Sequence, residues 1–273
     1  MSLAGVAKET VEIVERGSYT CPSGQLVSIR DEVAAALAGT VLYRPDDLAA
    51  LSRPPGDGPP PRLEVWADTT AGAARRLAET GEVAALNFAS AKNPGGGFLG
   101  GAKAQEEDLA RCSALYHCLR TQRGYYEANR DEASMLYTDH IIFAPGVPFF
   151  RDERLDLLPR PFRSAIVTAP APNAGEHLRR DAHGHAAITT ALTRRAELVL
   201  RVLAHQRQRV LVLGAWGCGV FRNDPAEVAA VFVRWLHAPA YLGAFDRVVF
   251  AIRDRSRDQA TLRAFEHAVA AAS

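Results

Sequence analysis

The chain has 273 residues, of which 48% are hydrophobic, and its formal net charge is +1. This length and apolar content suffice for a substantial core, and a near-neutral charge without a basic tail gives no reason to expect nonspecific nucleic-acid binding. Four cysteines without a paired C-x-x-C spacing, an N-terminus without a signal pattern and no apolar run long enough to cross a bilayer predict a cytoplasmic location.

Residues 1–62 are predicted to form an N-terminal extension to a domain that spans residues 63–273. Apolar residues flank a Pro-Ser-Gly turn within residues 10–29, which predicts a hairpin. Asp31 is placed to cap a short helix that ends at Leu37.

A Pro- and Gly-rich stretch closes the extension at residues 44–62. Its residues 54–61 read Pro-Pro-Gly-Asp-Gly-Pro-Pro-Pro, and proline lacks the amide donor that helices and sheet ladders need. The stretch predicts a mobile surface loop that either connects the two parts or borders a binding site.

Predicted strands and helices alternate from residue 63 onwards. This order predicts an α/β fold, with a mixed or parallel sheet covered by helices on both faces. Asp224 with Glu227, and Ser256 with Gln259, are the expected capping pairs of the last two helices. Strands are predicted at residues 63–67, 83–87, 140–144, 165–168, 210–214 and 248–252, and helices at residues 70–79, at 176–205 in two pieces broken near 183–185, and after residues 224 and 259.

The most informative stretch is residues 87–107, which lead from a predicted strand through a glycine-rich loop into a helix. Its glycines permit backbone conformations closed to other residues and let main-chain amides approach a ligand closely. The helix begins with Gln105-Glu106-Glu107, and its apolar stripe is predicted to continue to Leu119. Carboxylates beside a phosphate cradle suggest chemistry on an ester or glycoside; alternatively, they decorate an exposed helix start.

A second glycine-rich loop follows the predicted strand at residues 210–214. The glycines at 214, 217 and 219 leave successive amides free, which is typical of a diphosphate site next to a helix N-terminus. The alternative is a tight turn with Phe221 in the core. Because ligands bind beyond the carboxyl ends of parallel strands, the two loops are expected to face one ligand.

Three glycines, seven further residues and then Gln-Glu-Glu resemble the signature of the poly(ADP-ribose) glycohydrolases, a catalytic branch of the macrodomain fold. The second loop, Gly-Ala-Trp-Gly-Cys-Gly-Val-Phe, also resembles the family's diphosphate loop. The short chain is similar to the bacterial-type members. The resemblance implies a macrodomain-like, three-layer α/β/α fold with a mixed central sheet and an N-terminal extension.

The resemblance also implies roles for individual residues. Glu107 is expected to be the general acid, Glu106 to bind and position ribose hydroxyls, and Gln105 to support both. Asn93 is the favoured ribose contact among the neutral polar side chains of the first loop. The implied substrate-binding residues are Asn87, Ser90, Asn93, Gly95, Gly96, Gly97 and Gln105 in the first loop, and Gly214, Gly217, Cys218, Gly219, Val220 and Phe221 in the second.

The activity implied by the resemblance is hydrolysis of ribose–ribose O-glycosidic bonds in poly(ADP-ribose), mainly from the free end, with release of ADP-ribose. Glu107 would protonate the leaving oxygen and then activate water. Burial, the charge of Glu106 and the ligand's diphosphate are expected to raise its pKa against the helix dipole. Poly(ADP-ribosyl)ated proteins would be partners, no cofactor or metal would be needed, and the role would lie in the response to DNA damage.

Two other functions fit parts of the sequence. A non-catalytic ADP-ribose-binding macrodomain would need neither Glu106 nor Glu107. An NAD-dependent oxidoreductase is disfavoured because Asn-Pro interrupts the glycine loop, carboxylates follow it, and no acid is suitably placed for a ribose. The adenine-binding aromatic residue is left open among Phe98, Tyr137, Phe143, Phe149, Phe150 and Tyr241.

Three further groups are interpreted as structural. Asp181, His183 and His185 have spacing suited to a metal but no second ligand cluster, and Cys218 has no sequence-adjacent base that would activate it. The basic cluster at residues 151–163 is interpreted as solvated surface. The alternative is that this cluster attracts the polymer.

Overall fold

The computed structural model of the chain describes residues 1–272. Its centre is a seven-stranded mixed sheet with the strand order β3-β6-β7-β5-β8-β9-β4, and a separate two-stranded hairpin, β1-β2, precedes it in the chain. The strands are β1 Ser18–Thr20, β2 Leu26–Ser28, β3 Val41–Tyr43, β4 Arg62–Trp66, β5 Ala84–Phe88, β6 Ile141–Arg151, β7 Leu157–Ala169, β8 Val210–Gly214 and β9 Arg247–Ala251.

Eleven α-helices are present in the described part of the chain, together with 3₁₀ turns at Phe98–Gly100 and Pro239–Tyr241. None of them is both long and apolar enough to pass through a membrane. The helices are α1 Leu3–Arg16, α2 Arg30–Gly39, α3 Pro45–Ala50, α4 Thr70–Ala78, α5 Gln105–Cys112, α6 Leu115–Arg120, α7 Arg123–Asp131, α8 Ala174–Arg180, α9 His185–His205, α10 Pro225–Leu236 and α11 Ala260–Ala270.

Five neighbouring strands of the sheet, from β7 to β4, are parallel, whereas β3 and β6 run antiparallel to their neighbours. Successive side chains of a strand point to opposite faces. Accordingly, Leu86 of β5 lies in a core with helices α9 to α11, and Ala85 lies in a second core with α4 to α7. The predicted three-layer α/β/α macrodomain-like fold with a mixed central sheet is confirmed.

The prediction that the first strand of the hairpin begins near residue 10 is wrong, because residues 3–16 form helix α1. Ser2 accepts a hydrogen bond from the Gly5 amide at the start of the helix, and Gly17, at φ +73°, ends it. The buried residues Val6, Thr10 and Ile13 recur at helical spacing, so α1 buries one continuous face. The hairpin itself is limited to β1 and β2, around the predicted turn.

Helix boundaries differ from prediction elsewhere for local reasons. The helix predicted to run to Leu119 stops at Cys112, because Ser113 is extended and forms a bridge to Phe149, and α6 then starts separately. Asp31 lies in the first turn of α2 and is not its cap. Asp254, whose carboxylate accepts from amides of α11, replaces the expected cap of that helix.

Two other local expectations also need correction. The Glu227 side chain accepts from the Thr189 hydroxyl, so it does not complete a capping box, although Asp224 does cap α10. The Pro-rich stretch is irregular at residues 54–61, as predicted, but α3 occupies its first part. The extension adds β3 to one edge of the main sheet, and its division from the rest at residue 62 stays a prediction.

Candidate active site

The two glycine-rich loops leave the sheet at the same edge. Strand β5, which leads into the first loop, is the parallel neighbour of β8, which leads into the second. At Gly214 a Cβ would lie 2.7 Å from the Ala251 carbonyl oxygen and 3.1 Å from Cζ of Phe88. Glycine therefore lets the start of the second loop pack closely against the end of β5.

Gln105 fastens the start of helix α5 to the end of β5. Its Oε1 accepts from the Phe88 amide at 2.8 Å, and its Nε2 donates to the Leu86 carbonyl at 2.7 Å and the Thr70 hydroxyl at 3.1 Å. All three bonds join residues far apart in sequence. Gln105 thus fixes the position of the two glutamates that follow, and its part in substrate binding stays a prediction.

Glu106 is buried at the base of the first loop, with 2% of its surface exposed. Asn87 Nδ2 donates to one carboxyl oxygen at 3.1 Å, and the Ser90 amide donates to the other at 2.6 Å. Burial raises the pKa of Glu106 to about 8, the nearby Glu107 adds to this shift, and the hydrogen bonds from Ser90 and Asn87 oppose it. The protonated form of Glu106 is therefore populated at neutral pH.

Glu107 faces the glycine loop, and its Oε1 accepts from the Gly97 amide at 2.9 Å. Gly96 has a φ of +58°, and a Cβ there would lie 2.3 Å from Oε1 of Glu107 and 3.2 Å from Oε2 of Glu106. The backbone of Gly96 thus lies directly against both carboxyl groups. The two glutamates share this wall but differ in hydrogen-bond partners, as expected for adjacent residues about 100° apart on a helix.

The remaining polar residues of the first loop have unequal access. Asn87 is fully buried, and within residues 1–272 its Oδ1 has no hydrogen-bond partner. The Ser90 hydroxyl accepts from the amides of Lys92 and Asn93. Asn93 is exposed, and its main-chain carbonyl oxygen accepts from the Gly96 amide at 3.0 Å. Asn93 is consequently the most accessible of the three predicted polar contacts.

Trp216 and Asn223 hold the second loop in place. The Trp216 indole donates to the Ala169 carbonyl at 3.1 Å, and Asn223 Nδ2 donates to the carbonyls of Pro172 and Gly217 at 2.8 and 3.1 Å. A Cβ on Gly219 would meet no atom within 4 Å, so this part of the backbone faces open space. The geometry suits close approach of a ligand to bare main chain.

Phe221 is partly buried, and its ring packs on that of Tyr137 with the centroids 5.8 Å apart. Val220, next to it, is 84% exposed at the loop surface. Burial raises the pKa of the Cys218 thiol to about 12, which keeps it protonated. Because the thiolate is the nucleophilic form, Cys218 is unsuited to covalent catalysis.

Among the six candidate adenine-binding aromatic residues, Tyr137 alone is partly exposed, and the other five are buried in the core. Asp181, His183 and His185 are all exposed, and residues 1–272 contain no group of three or more His, Cys, Asp or Glu side chains suited to a metal ion. The basic cluster at residues 151–163 begins with Arg151, which is buried against Glu9. It lies at the opposite edge of the sheet, where β6 ends and β7 begins.

Several residues around the site were missed by the sequence analysis. The Thr168 hydroxyl of β7 accepts from Asn87 Nδ2 at 3.3 Å. Tyr125 and Tyr126, neighbours in α7, are buried; burial raises their pKa values, and the charge of Glu106 raises them further. Within residues 1–272, the hydroxyls of both tyrosines lack a partner. No local spacing signals these contacts, because they join distant parts of the chain. Asn223, by contrast, lies within the second glycine-rich loop, so its position in the sequence could have identified it as a residue of the site.

Comparison with known proteins shows the family to which the chain belongs. The family model described as the catalytic domain of microbial-type PARG, poly(ADP-ribose) glycohydrolase, matches residues 7–152. A crystal structure of the PARG of Thermomonospora curvata is 48% identical, with a TM-score of 0.91, over 97% of this chain and 98% of that one. The same enzyme bound to the inhibitor ADP-HPD gives 48% identity and a TM-score of 0.89 with the same coverage.

The PARG of Deinococcus radiodurans in complex with ADP-ribose is 46% identical, with a TM-score of 0.81, over 90% of this chain and 99% of that one. No curated protein sequence matches the chain. Identity of this level over nearly the whole of both chains, together with the family match, identifies the protein: the chain belongs to the microbial-type poly(ADP-ribose) glycohydrolases.

Proposed function

We propose that this glycosidase hydrolyses the ribose–ribose bonds of poly(ADP-ribose) with Glu107 as the catalytic residue, acting mainly at the free polymer end. Family membership gives it the activity of a poly(ADP-ribose) glycohydrolase, with ADP-ribose as product. The observation that carries the proposal is the position of Glu107. It lies at the edge of the sheet where both glycine loops emerge, held by the Gly97 amide.

In the proposed reaction, Glu107 donates a proton to the bridging oxygen as the bond from that oxygen to the anomeric carbon breaks. The electron pair of the bond leaves with the oxygen, and an oxocarbenium-like centre develops on the ribose. Glu107, now a carboxylate, takes a proton from a water molecule whose oxygen bonds to the anomeric carbon. ADP-ribose and a polymer one unit shorter are the products.

Glu106 is proposed to hold the ribose rather than transfer protons. Its two carboxyl oxygens already accept from Asn87 and the Ser90 amide, which fixes the side chain at the base of the loop. A fixed carboxyl group can accept from ribose hydroxyls and set the sugar's orientation relative to Glu107. The accessible Asn93 is proposed as a further ribose contact.

The second loop is proposed to bind the diphosphate through the backbone of residues 214–220, with Phe221 against the terminal ribose. The open space beside Gly219 supports this assignment, as does the partial exposure of Phe221. The family resemblance, together with the position of Phe221, is our basis for proposing a preference for chain ends over internal units. On the same basis, we propose weak action on the last unit attached to a protein.

The proposal extends to location and biological role. All four cysteines are free thiols, which supports a reducing compartment such as the cytoplasm. Poly(ADP-ribosyl)ated proteins are the proposed partners, and removal of the polymer after DNA damage is the proposed role.

Purified protein incubated with poly(ADP-ribose) labelled at its free end tests the proposed direction of attack. Free-end action predicts early appearance of labelled ADP-ribose while the remaining polymer shortens gradually. Labelled oligomers as the main early products would contradict free-end action. Failure to release any product would favour a protein that only binds ADP-ribose.

A further inference from the structure

A basic groove of about 680 Å³ lies outside the candidate active site. It runs beside helix α9, between α3 on one side and the end of α10 on the other. Its lining contains four arginines and two carboxylates, an excess of two positive charges in a chain whose net charge is +1. The charged residues are Arg53, Arg194, Arg201, Arg234, Asp139 and Glu197.

Both carboxylates of the basic groove are shared between two arginines. Glu197 is bonded by Arg201 at 2.7 Å and by Arg53 at 3.1 Å. Asp139 is bonded by Arg194 at 2.7 Å and by the buried Arg195 at 3.1 Å. One carboxylate neutralises only one of its two partners, so positive charge remains available to a ligand. Arg53 and Arg194 keep more than half of their side-chain surface exposed.

Arg234 and Trp235 give the basic groove a charge beside an aromatic ring. The Arg234 guanidinium lies 5.8 Å from the Trp235 ring centroid and donates to the Thr193 hydroxyl at 3.4 Å. In the described part of the chain, it has no carboxylate partner within ion-pair distance. Trp235 is partly exposed and is anchored by its indole nitrogen to the Thr193 carbonyl at 2.9 Å. Arginines suit diphosphates, and a partly exposed aromatic ring suits an adenine base.

Residues 137–139 connect the basic groove with Phe221 of the second loop. Arg195, beneath the groove, donates to the Tyr137 carbonyl at 3.0 Å, and the Tyr137 ring packs on Phe221. Asp139, two residues further on, lines the groove. Residues 137–139 thus contact Phe221 at one end and line the groove at the other. A polymer chain that leaves the ribose beside Phe221 would follow this segment to reach the groove.

We propose that the basic groove binds the poly(ADP-ribose) chain beyond the unit held in the active site. Each further unit carries a diphosphate, an adenine and ribose hydroxyls, which match the groove's arginines, Trp235 and threonines. This inference rests on the proposed function, because it takes the polymer to leave the site next to Phe221. The groove contributes affinity for long polymers and none for ADP-ribose itself.

The double variant Arg53→Ala/Arg234→Ala tests the proposal. Each change removes a charge and leaves Glu197 paired with Arg201. The ratio of KM for long polymer to KM for the ADP-ribose dimer should rise about three- to tenfold, and KM for long polymer should depend less on salt. Lys8→Ala/Arg123→Ala is the matched control, because both side chains are more than 80% exposed and neither lines the groove. An equal ratio in wild type, control and groove variant would overturn the proposal.

Binding separates this inference from the proposed function. If the wild type hydrolysed neither substrate, the proposed function would fail, and the anisotropy of fluorescent long polymer would still test the basic groove. Weaker polymer binding by the groove variant, with unchanged ADP-ribose binding, supports the groove. Unlabelled single-stranded DNA and unlabelled poly(ADP-ribose) are then compared as competitors of the fluorescent polymer. Equal displacement by the two would contradict the proposal, because the surface would then accept any polyanion.

Discussion

Glu106 and Glu107 are adjacent in sequence, yet their surroundings give them different chemistry. Glu106 is bonded on both carboxyl oxygens inside the protein, whereas Glu107 accepts from the amide of Gly97 in the glycine-rich loop. Burial favours the neutral form of Glu106. The sequence and its family resemblance predicted two separate roles, but the partners that distinguish them come from distant residues and could not be read from spacing.

Glu107→Gln should lower kcat by at least about 100-fold, since the amide keeps the size of the side chain but cannot donate and recover the proton. The affinity for ADP-ribose, measured by titration calorimetry, should change little. The next acid along the helix, Asp108, pairs with Arg111 and offers the comparison: Asp108→Asn should retain activity. A fully active Glu107→Gln variant would end the assignment.

Glu106→Gln should change how stability depends on pH. The pKa of Glu106 is raised from 4.5 to about 8 in the folded protein. The stability that the protonated carboxyl group contributes is therefore fully present below pH 4.5 and is lost as the pH rises towards 8. Wild type should therefore lose about 2–4 kcal/mol relative to Glu106→Gln between these pH values. Urea unfolding at a series of pH values measures this difference. Parallel stability curves for the two proteins would contradict the raised pKa.

At the scale of elements, alternating strands and helices were well predicted from residue 63 onwards. Strands β5, β8 and β9 and helix α4 lie within one residue of their predicted limits, because short buried runs and helix caps are local signals. The N-terminal helix was missed because Val11, Ile13 and Val14 fit a strand as well as a helix in a short window. Only burial of the α1 stripe against the rest of the protein decides between them.

The first loop depends on glycine at one position more than at others. Gly96→Ala should lower kcat/KM by about 100-fold, because the new Cβ would displace Glu107 and strain the backbone at positive φ. Gly100→Ala is the control, since a Cβ there meets no atom within 4 Å and its φ is not positive. Steady-state kinetics with circular dichroism of both variants measures the contrast. Equal activities would show that Gly96 does not position Glu107.

At the scale of the whole molecule, the N-terminal helix α1 packs against helix α5. The buried hydroxyl of Thr10 in α1 donates to the Arg111 carbonyl of α5 at 2.8 Å, and α1 also packs beside Gly101 at the end of the first loop. The extension is therefore joined to the helix that carries both glutamates. The predicted boundary at residue 62 rests on a change in composition, but these contacts cross it. No sequence pattern predicts contacts between residues so far apart in the chain.

Thr10→Val should lower the free energy of unfolding by about 1–3 kcal/mol, because the Arg111 carbonyl would lose its buried partner. Thr80→Val provides the control, since the same change there removes an exposed hydroxyl that bonds only within its own helix end. Denaturant unfolding monitored by fluorescence compares the two variants. Equal stability losses would show that the contact between α1 and α5 contributes nothing specific.

The central claim is that both glycine loops bind one diphosphate and so place Glu107 at the anomeric carbon. A crystal structure of the protein with ADP-ribose measures this most directly. We predict main-chain amides of the loops after β5 and β8 in contact with the same ligand, and the Glu107 carboxyl group within hydrogen-bond distance of the hydroxyl at the anomeric carbon of its terminal ribose. A ligand bound away from either loop, or Glu107 directed away from that ribose, would contradict the account.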